Sequence, residues 1–153
     1  MKPTPPGWSR LSTSVFYDDP RAAIAWLCEA FGFELRLKVE GEDGAIHHSE
    51  LCFGEAVIMV GGTNGTEPWQ KLFRSPRSIG GGNTQSAALF VDDADAHHAR
   101  AVAAGAKIIR EPRTDDYGDD YWVDRTYGAE DLEGHLWWFM QRIRGTGERS
   151  YIK

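Results

Sequence analysis

Two stretches of the chain carry side chains able to do chemistry: "IHHSEL", Ile46 to Leu51, and "DLEGHLWWF", Asp131 to Phe139. In the first, His48 and Glu50 are two residues apart, the spacing that puts both on one face of a strand. Such a pair can give two ligands to a divalent metal, or a general base and the carboxylate that orients it. His47 faces the opposite way. In the second stretch a Glu-Gly turn leads into large apolar residues, so His135 stands where a buried strand begins. One histidine supplies one ligand where a metal needs three or four, and His135 is read as a turn residue bonded to neighbouring backbone.

A third group is aromatic: Tyr117, Tyr121, Trp122, Tyr127, Trp137 and Trp138, with Arg125 among them. Side chains alternate along "YWVDRTY" and "HLWWF", so part of this set faces a core and part faces outward. A cleft lined by Trp122, Tyr127 and Trp138, with Arg125 at its edge, would hold a flat or amphipathic molecule by stacking while the arginine pairs an anionic group. Trp69 lies in a long loop and is placed to cover it. Other candidates carry less. His97 and His98 read as the solvated face of a helix. The acidic "TDDYGDD" lacks the spacing and closing glutamate of a calcium loop and reads as an exposed loop. No Gly-x-Ser-x-Gly, P-loop or dinucleotide fingerprint occurs, which leaves nucleophilic chemistry without a visible carrier.

The elements that must position these residues are legible from periodicity. "RLSTSVFYDDP" reads as a strand, about Leu11 to Tyr17, stopped by Asp-Asp-Pro. Asp19 as N-cap and Pro20 in the first turn then open a helix whose Ile24, Leu27, Cys28 and Phe31 keep helical spacing, and Gly32 closes it. "ELRLKVE", "AIHHSELCF" and "AVIMV" follow as three strands with the short turns "GEDG" and "GE" between them. A glycine-rich loop, about 61–84, reads as a linker or lid. After it the order recurs: strand "QSAALFVDD", helix "DADAHHARAVAAGA" closed by Gly105, then strands "KIIRE", "YWVDRTYGAED" and "HLWWFMQ". "FYDDPRAAIAWLCEAFGFELRL" from Phe16 lies over "FVDDADAHHARAVAAGAKIIR" from Phe90, with the double aspartate and closing glycine in register. The expectation is an α+β fold of two βαβββ modules, about 11–60 and 85–141, in a single domain over 1–153. Their curved mixed sheets would each carry one helix behind and leave a concave cleft in front.

Composition narrows the function. The 153 residues carry a net charge of −6, and the pI is near 5.3, so no basic patch neutralises a phosphate backbone and nucleic acid is not an expected partner. No apolar run approaches the roughly 18 residues of a membrane span, and the proline-rich, polar start has no apolar leader segment, so a cytoplasmic, membrane-free protein is expected. Cys28 and Cys52 show no metal or redox spacing and read as buried thiols in a reducing compartment.

At this level the chain resembles the vicinal oxygen chelate superfamily of glyoxalases, bleomycin-resistance proteins, fosfomycin-modifying enzymes and extradiol dioxygenases. The matching pieces are "FYDDPRAAIAWLCEAFGF", "HSELCFGEAVIMV", "FVDDADAHHARAVAAGAKI" and "DRTYGAEDLEGHLWWF". The resemblance implies paired βαβββ modules, commonly completed as a homodimer, and a divalent metal held by the first strand of each module and the last strand of the second. Carried onto this chain, those ligand positions fall at Ser12, Ser86 and Trp138, where two hydroxyls and an indole replace imidazole and carboxylate. The expected function is therefore that of a sequestering, bleomycin-resistance-like member. It binds a small organic molecule in its cleft without the usual metal or any other cofactor, through Trp138, Arg125, Tyr127, Trp122, Ser12 and Ser86. The alternative is a metal-dependent lyase, isomerase or dioxygenase with a shifted ligand set that includes His48 and Glu50.

Overall fold

The computed structural model describes residues 1–145. In it the double aspartate ends strand β1 (Thr13–Tyr17) and opens helix α1 (Pro20–Phe31). The Asp19 carboxylate accepts the Ala22 N–H at 3.0 Å, Pro20 occupies the first turn, where a missing N–H costs nothing, and Gly32 ends the helix at φ 75°. Three antiparallel strands follow, β2 (Glu34–Glu40), β3 (Ile46–Phe53) and β4 (Ala56–Gly62). They form a mixed sheet ordered β1-β4-β3-β2, with β1 parallel to β4. The α1 side chains Ala23, Ile24, Leu27, Ala30 and Phe31 bury against Val15, Tyr17, Leu51, Ile58 and Val60. Truncating a buried leucine such as Leu27 in that layer costs about 2–5 kcal/mol.

The second half repeats the first: β5 (Ser86–Phe90), α2 (Ala94–Ala103), β6 (Lys107–Asp116), β7 (Val123–Glu130) and β8 (Leu136–Arg144). Its sheet order, β5-β8-β7-β6 with β5 parallel to β8, is the same as that of the first. The expected α+β pair of βαβββ modules is what the chain forms. By contacts the described residues divide into two compact units, Met1–Gly82 with Leu132–Gly134, and Asn83–Asp131 with residues 135–145.

Two local expectations are corrected. His97 is not on a solvated face: its ring lies 4.3 Å from that of Phe139, and its Nδ1 is 2.5 Å from the Tyr127 hydroxyl. α2 is built largely of alanine and buries only Ala94 and Ala101 completely, so the imidazole fills the space under this thin face and the phenol satisfies it. The acidic stretch after "KIIRE" is not all loop, because β6 continues to Asp116. As an edge strand with register shifts between Ile108 and Arg113, it tolerates Pro112 without losing the ladder.

The long loop of the first unit is anchored. Glu133, 2% exposed, accepts the N–H groups of Asp18 at 2.8 Å and Asp19 at 3.0 Å and an Arg77 guanidinium hydrogen at 3.1 Å. The Arg77 N–H in turn donates to the Glu133 carbonyl at 3.0 Å. Phe73 of the same loop stacks on Phe16 with ring centroids 3.6 Å apart.

Candidate functional site

In the first unit, the sheet face away from α1 carries Ser14 and Phe16 from β1, His48 and Glu50 from β3, and Met59 from β4, with Ser14, Met59 and Glu50 in one register row. His48 and Glu50 share this face as their spacing requires, with Nε2 3.0 Å from Oε1. The other carboxylate oxygen lies 3.3 Å from Arg36 Nε, so Glu50 is engaged on both sides. Arg36 also donates to the Gly7 carbonyl, and its guanidinium stands 5.3 Å from the Trp8 ring. The segment Thr4–Ser9, with Arg36, Cys52 and Val57, lines an open cavity of about 600 Å³. With Trp8 over Arg36 and Phe73 over Phe16, much of this face is covered by the chain itself.

The equivalent face of the second unit is built differently. Trp138 lies in a register row with Ala88, Gly128 and Arg110. A Cβ at Gly128 would come within 2.8 Å of the indole, so it is the glycine that lets the ring lie down on β7. The Arg110 guanidinium stands 6.0 Å from that ring. Two and four residues on, Met140 and Arg142 continue the face, and Phe90, beside Met140 in register, is 55% exposed. The Arg142 guanidinium is 5.2 Å from both the Phe90 and the Trp122 rings and donates through Nε to Asp124. Asp115 faces Asp124 directly across the strands, an arrangement that is unfavourable unless neutralised. Hydrogen bonds from Arg110 and then Arg113 hold the Asp115 carboxyl below the usual aspartate range, and Arg142 compensates Asp124. The resulting surface is apolar and aromatic along its middle, with guanidinium groups beside it.

The residues expected at a cleft separate accordingly. Trp138 and Ser86 belong to this open face, and Trp122 joins it through Arg142. Ser12 precedes β1, its hydroxyl 3.1 Å from that of Ser9. Arg125 and Tyr127 are turned the other way, which corrects their expected position. Arg125 holds Asp95 of α2 with two 2.7 Å hydrogen bonds, and Tyr127 is fully buried beside His97. The reason is the phase of β7: positions 123, 125, 127 and 129 alternate onto the α2 side, leaving 124, 126 and 128 opposite. Burial pushes the Tyr127 phenol pKa well up. His135 is the turn residue expected, although its partner is a carboxylate as well as backbone. Its N–H donates to Asp131 Oδ1 at 3.0 Å, while Trp137 Nε1–H donates to Asp131 Oδ2 at 3.0 Å.

Phe90, Arg110 and Arg142 were missed from sequence. The apolar run "HLWWFMQ" ends at Gln141, one residue short of Arg142. The available signal was the two-residue step from Trp138 through Met140 to Arg142.

A divalent metal held in the manner of the resembling enzymes does not fit these donors. In the first unit the expected position Ser12 and its neighbour Ser14 offer hydroxyls, and in the second Ser86 and Trp138 offer a hydroxyl and an indole, all of which bind such ions poorly. Glu50, a better ligand, is tied to His48 and Arg36. Among the described residues no three His, Cys, Asp or Glu side chains converge.

Residues 10–139 match the sequence model of the Glyoxalase/Bleomycin resistance protein/Dioxygenase superfamily. An uncharacterized protein of Mycobacterium bovis is 31% identical over 136 residues, covering 88% of this chain and 84% of the relative. A counterpart in Mycobacterium tuberculosis H37Rv is 31% identical, covering 88% of this chain and 75% of the relative. Among solved structures, TioX from Micromonospora sp. ML1 aligns with a TM-score of 0.66 at 32% identity, over 88% of this chain and 99% of that one. The fosfomycin resistance protein FosX of Listeria monocytogenes shares the fold, with a TM-score of 0.58 at 14% identity over 87% and 92% of the two chains.

Proposed function

Because the chain belongs to the Glyoxalase/Bleomycin resistance protein/Dioxygenase superfamily, we propose that it binds a small planar organic molecule by stacking on the open face of the second sheet, without the divalent metal of its enzymatic relatives. The observation that carries this reading is the Trp138 indole lying on Gly128 beside the exposed Phe90. A planar ring gains area and aromatic contact there at little ordering cost. The protein acts by holding its ligand, since the face offers guanidinium, aromatic and thioether groups and the carboxylates on it are already paired. Calorimetric titration of metal-stripped protein with planar aromatic compounds tests it. The expected result is saturable binding that weakens about tenfold in Trp138→Ala.

The working form is a homodimer in a reducing cytoplasm. Leu37 and Val39, which share a face of the edge strand β2, are each more than 40% exposed, an apolar pair that a second copy would cover. Cys28 and Cys52 are partly exposed and not buried as expected, and among the described residues neither forms a disulfide, in keeping with that compartment.

A metal-dependent reading has one observation in its favour: His48 and Glu50 do share a face and lie 3.0 Å apart. It requires Glu50 to give up Arg36, and it would be marked by a metal-induced thermal shift that disappears in His48→Ala.

A further inference from the structure

Resting on the reading that a planar molecule stacks at Trp138, we infer that this ligand carries an anionic group and that Arg142 is the residue that recognises it. Arg110, Arg113 and Arg142 meet only Asp115 and Asp124 on this face, which leaves one positive charge in excess on a chain whose net charge is −6. The carboxylates lie deeper than the cations: the Asp124 side chain is 6% exposed and that of Arg142 38%. An incoming molecule therefore meets guanidinium before carboxylate.

Arg142 is also pre-organised. Its Nε and Nη2 point to Asp124, and the Phe90 and Trp122 rings flank it at 5.2 Å. Among the described residues its Nη1 makes no hydrogen bond, so donors in a fixed plane remain for a carboxylate or sulfonate. Little side-chain freedom is left to lose when an anion arrives. Trp138, Met140 and Arg142 step along β8, and four residues of strand span about 13 Å. Phe90 and Met140 pave the interval. The ligand class this defines is an elongated aromatic acid, with its ring system over Trp138 and Phe90 and its acid at Arg142.

Two fluorescent probes of one ring skeleton test the inference: anilinonaphthalene sulfonate and the uncharged phenylnaphthylamine. The sulfonate is expected to bind about tenfold or more tightly than the neutral probe, with the preference shrinking as salt rises. Arg142→Gln should abolish the preference, weakening the sulfonate about tenfold more than it weakens the neutral probe. If Arg142→Gln destabilises the fold by stranding buried Asp124, the pair Arg142→Gln with Asp124→Asn removes both charges and makes the same test. Equal affinity for the two probes in the parent protein, or a preference that survives loss of Arg142, overturns the inference and leaves stacking intact. Failure of both probes to bind, or binding indifferent to Trp138→Ala, overturns the stacking reading itself.

Discussion

Gly128 and Trp138 face one another across β7 and β8 so closely that a Cβ at position 128 would lie 2.8 Å from the indole. The backbone of one strand is thus the floor on which the aromatic ring of the next one rests. Gly128→Ala should lift the ring and cost about 1–3 kcal/mol by overpacking. Affinity for planar ligands should fall about tenfold, a change of roughly 1.4 kcal/mol. Denaturant melts and calorimetric titration of the same variant check both.

Glu133 gathers the Asp18 and Asp19 N–H groups and Arg77 at the start of α1. Its removal leaves two part-buried N–H groups without their acceptor, while the exposed Arg77 keeps Asp18 at 3.7 Å, so Glu133→Ala should lose about 2–3 kcal/mol of stability. Glu133→Gln keeps an acceptor oxygen and should lose less. Limited proteolysis gives a second readout, with faster cleavage between residues 63 and 82 expected in the alanine variant.

Tyr127 sets an alkaline limit. Burial raises its pKa above the ordinary tyrosine value, so above about pH 10 the unfolded chain releases a proton that the folded chain retains. Stability is full below that pH and falls as pH rises toward the folded-state pKa. Chemical denaturation at stepped alkaline pH should show this slope in the parent protein and a much shallower one in Tyr127→Phe, whose other cost is the lost His97 contact.

Leu37 tests the assembly. Leu37→Glu places a carboxylate beside exposed Val39 on β2, and it should convert a dimer to a monomer in sedimentation equilibrium without lowering the thermal midpoint of the monomer. A parent protein that sediments as a monomer contradicts the assignment.

How far the sequence carried this depends on the kind of signal. The double aspartates and the closing glycines Gly32 and Gly105 are local chemistry, acting within a turn or two of the chain, and they place both helices and the repeat correctly. The shared face of His48 and Glu50 follows from strand period alone. Strand phase is harder, because whether Tyr127 or Thr126 faces α2 is decided by packing against Phe139 and His97, residues distant in sequence. Arg125 and Tyr127 were misplaced for that reason. β6 reads short because Pro112 looks like a stop, yet an edge strand with register shifts absorbs it. Arg142 looks like the polar end of an apolar run, and only its position between Phe90 and Trp122 marks it as part of a site.

The most direct test of ligand binding without a metal is one titration series. Metal-stripped protein, and the same protein supplemented with Zn, Ni, Mn or Fe(II), would be titrated with planar aromatic acids in the parent, Trp138→Ala and His48→Ala forms. The expected result is saturable binding in the stripped protein, unchanged by metal, weakened about tenfold by Trp138→Ala and unaffected by His48→Ala. Binding or turnover that appears only after metal is added and vanishes in His48→Ala would contradict it.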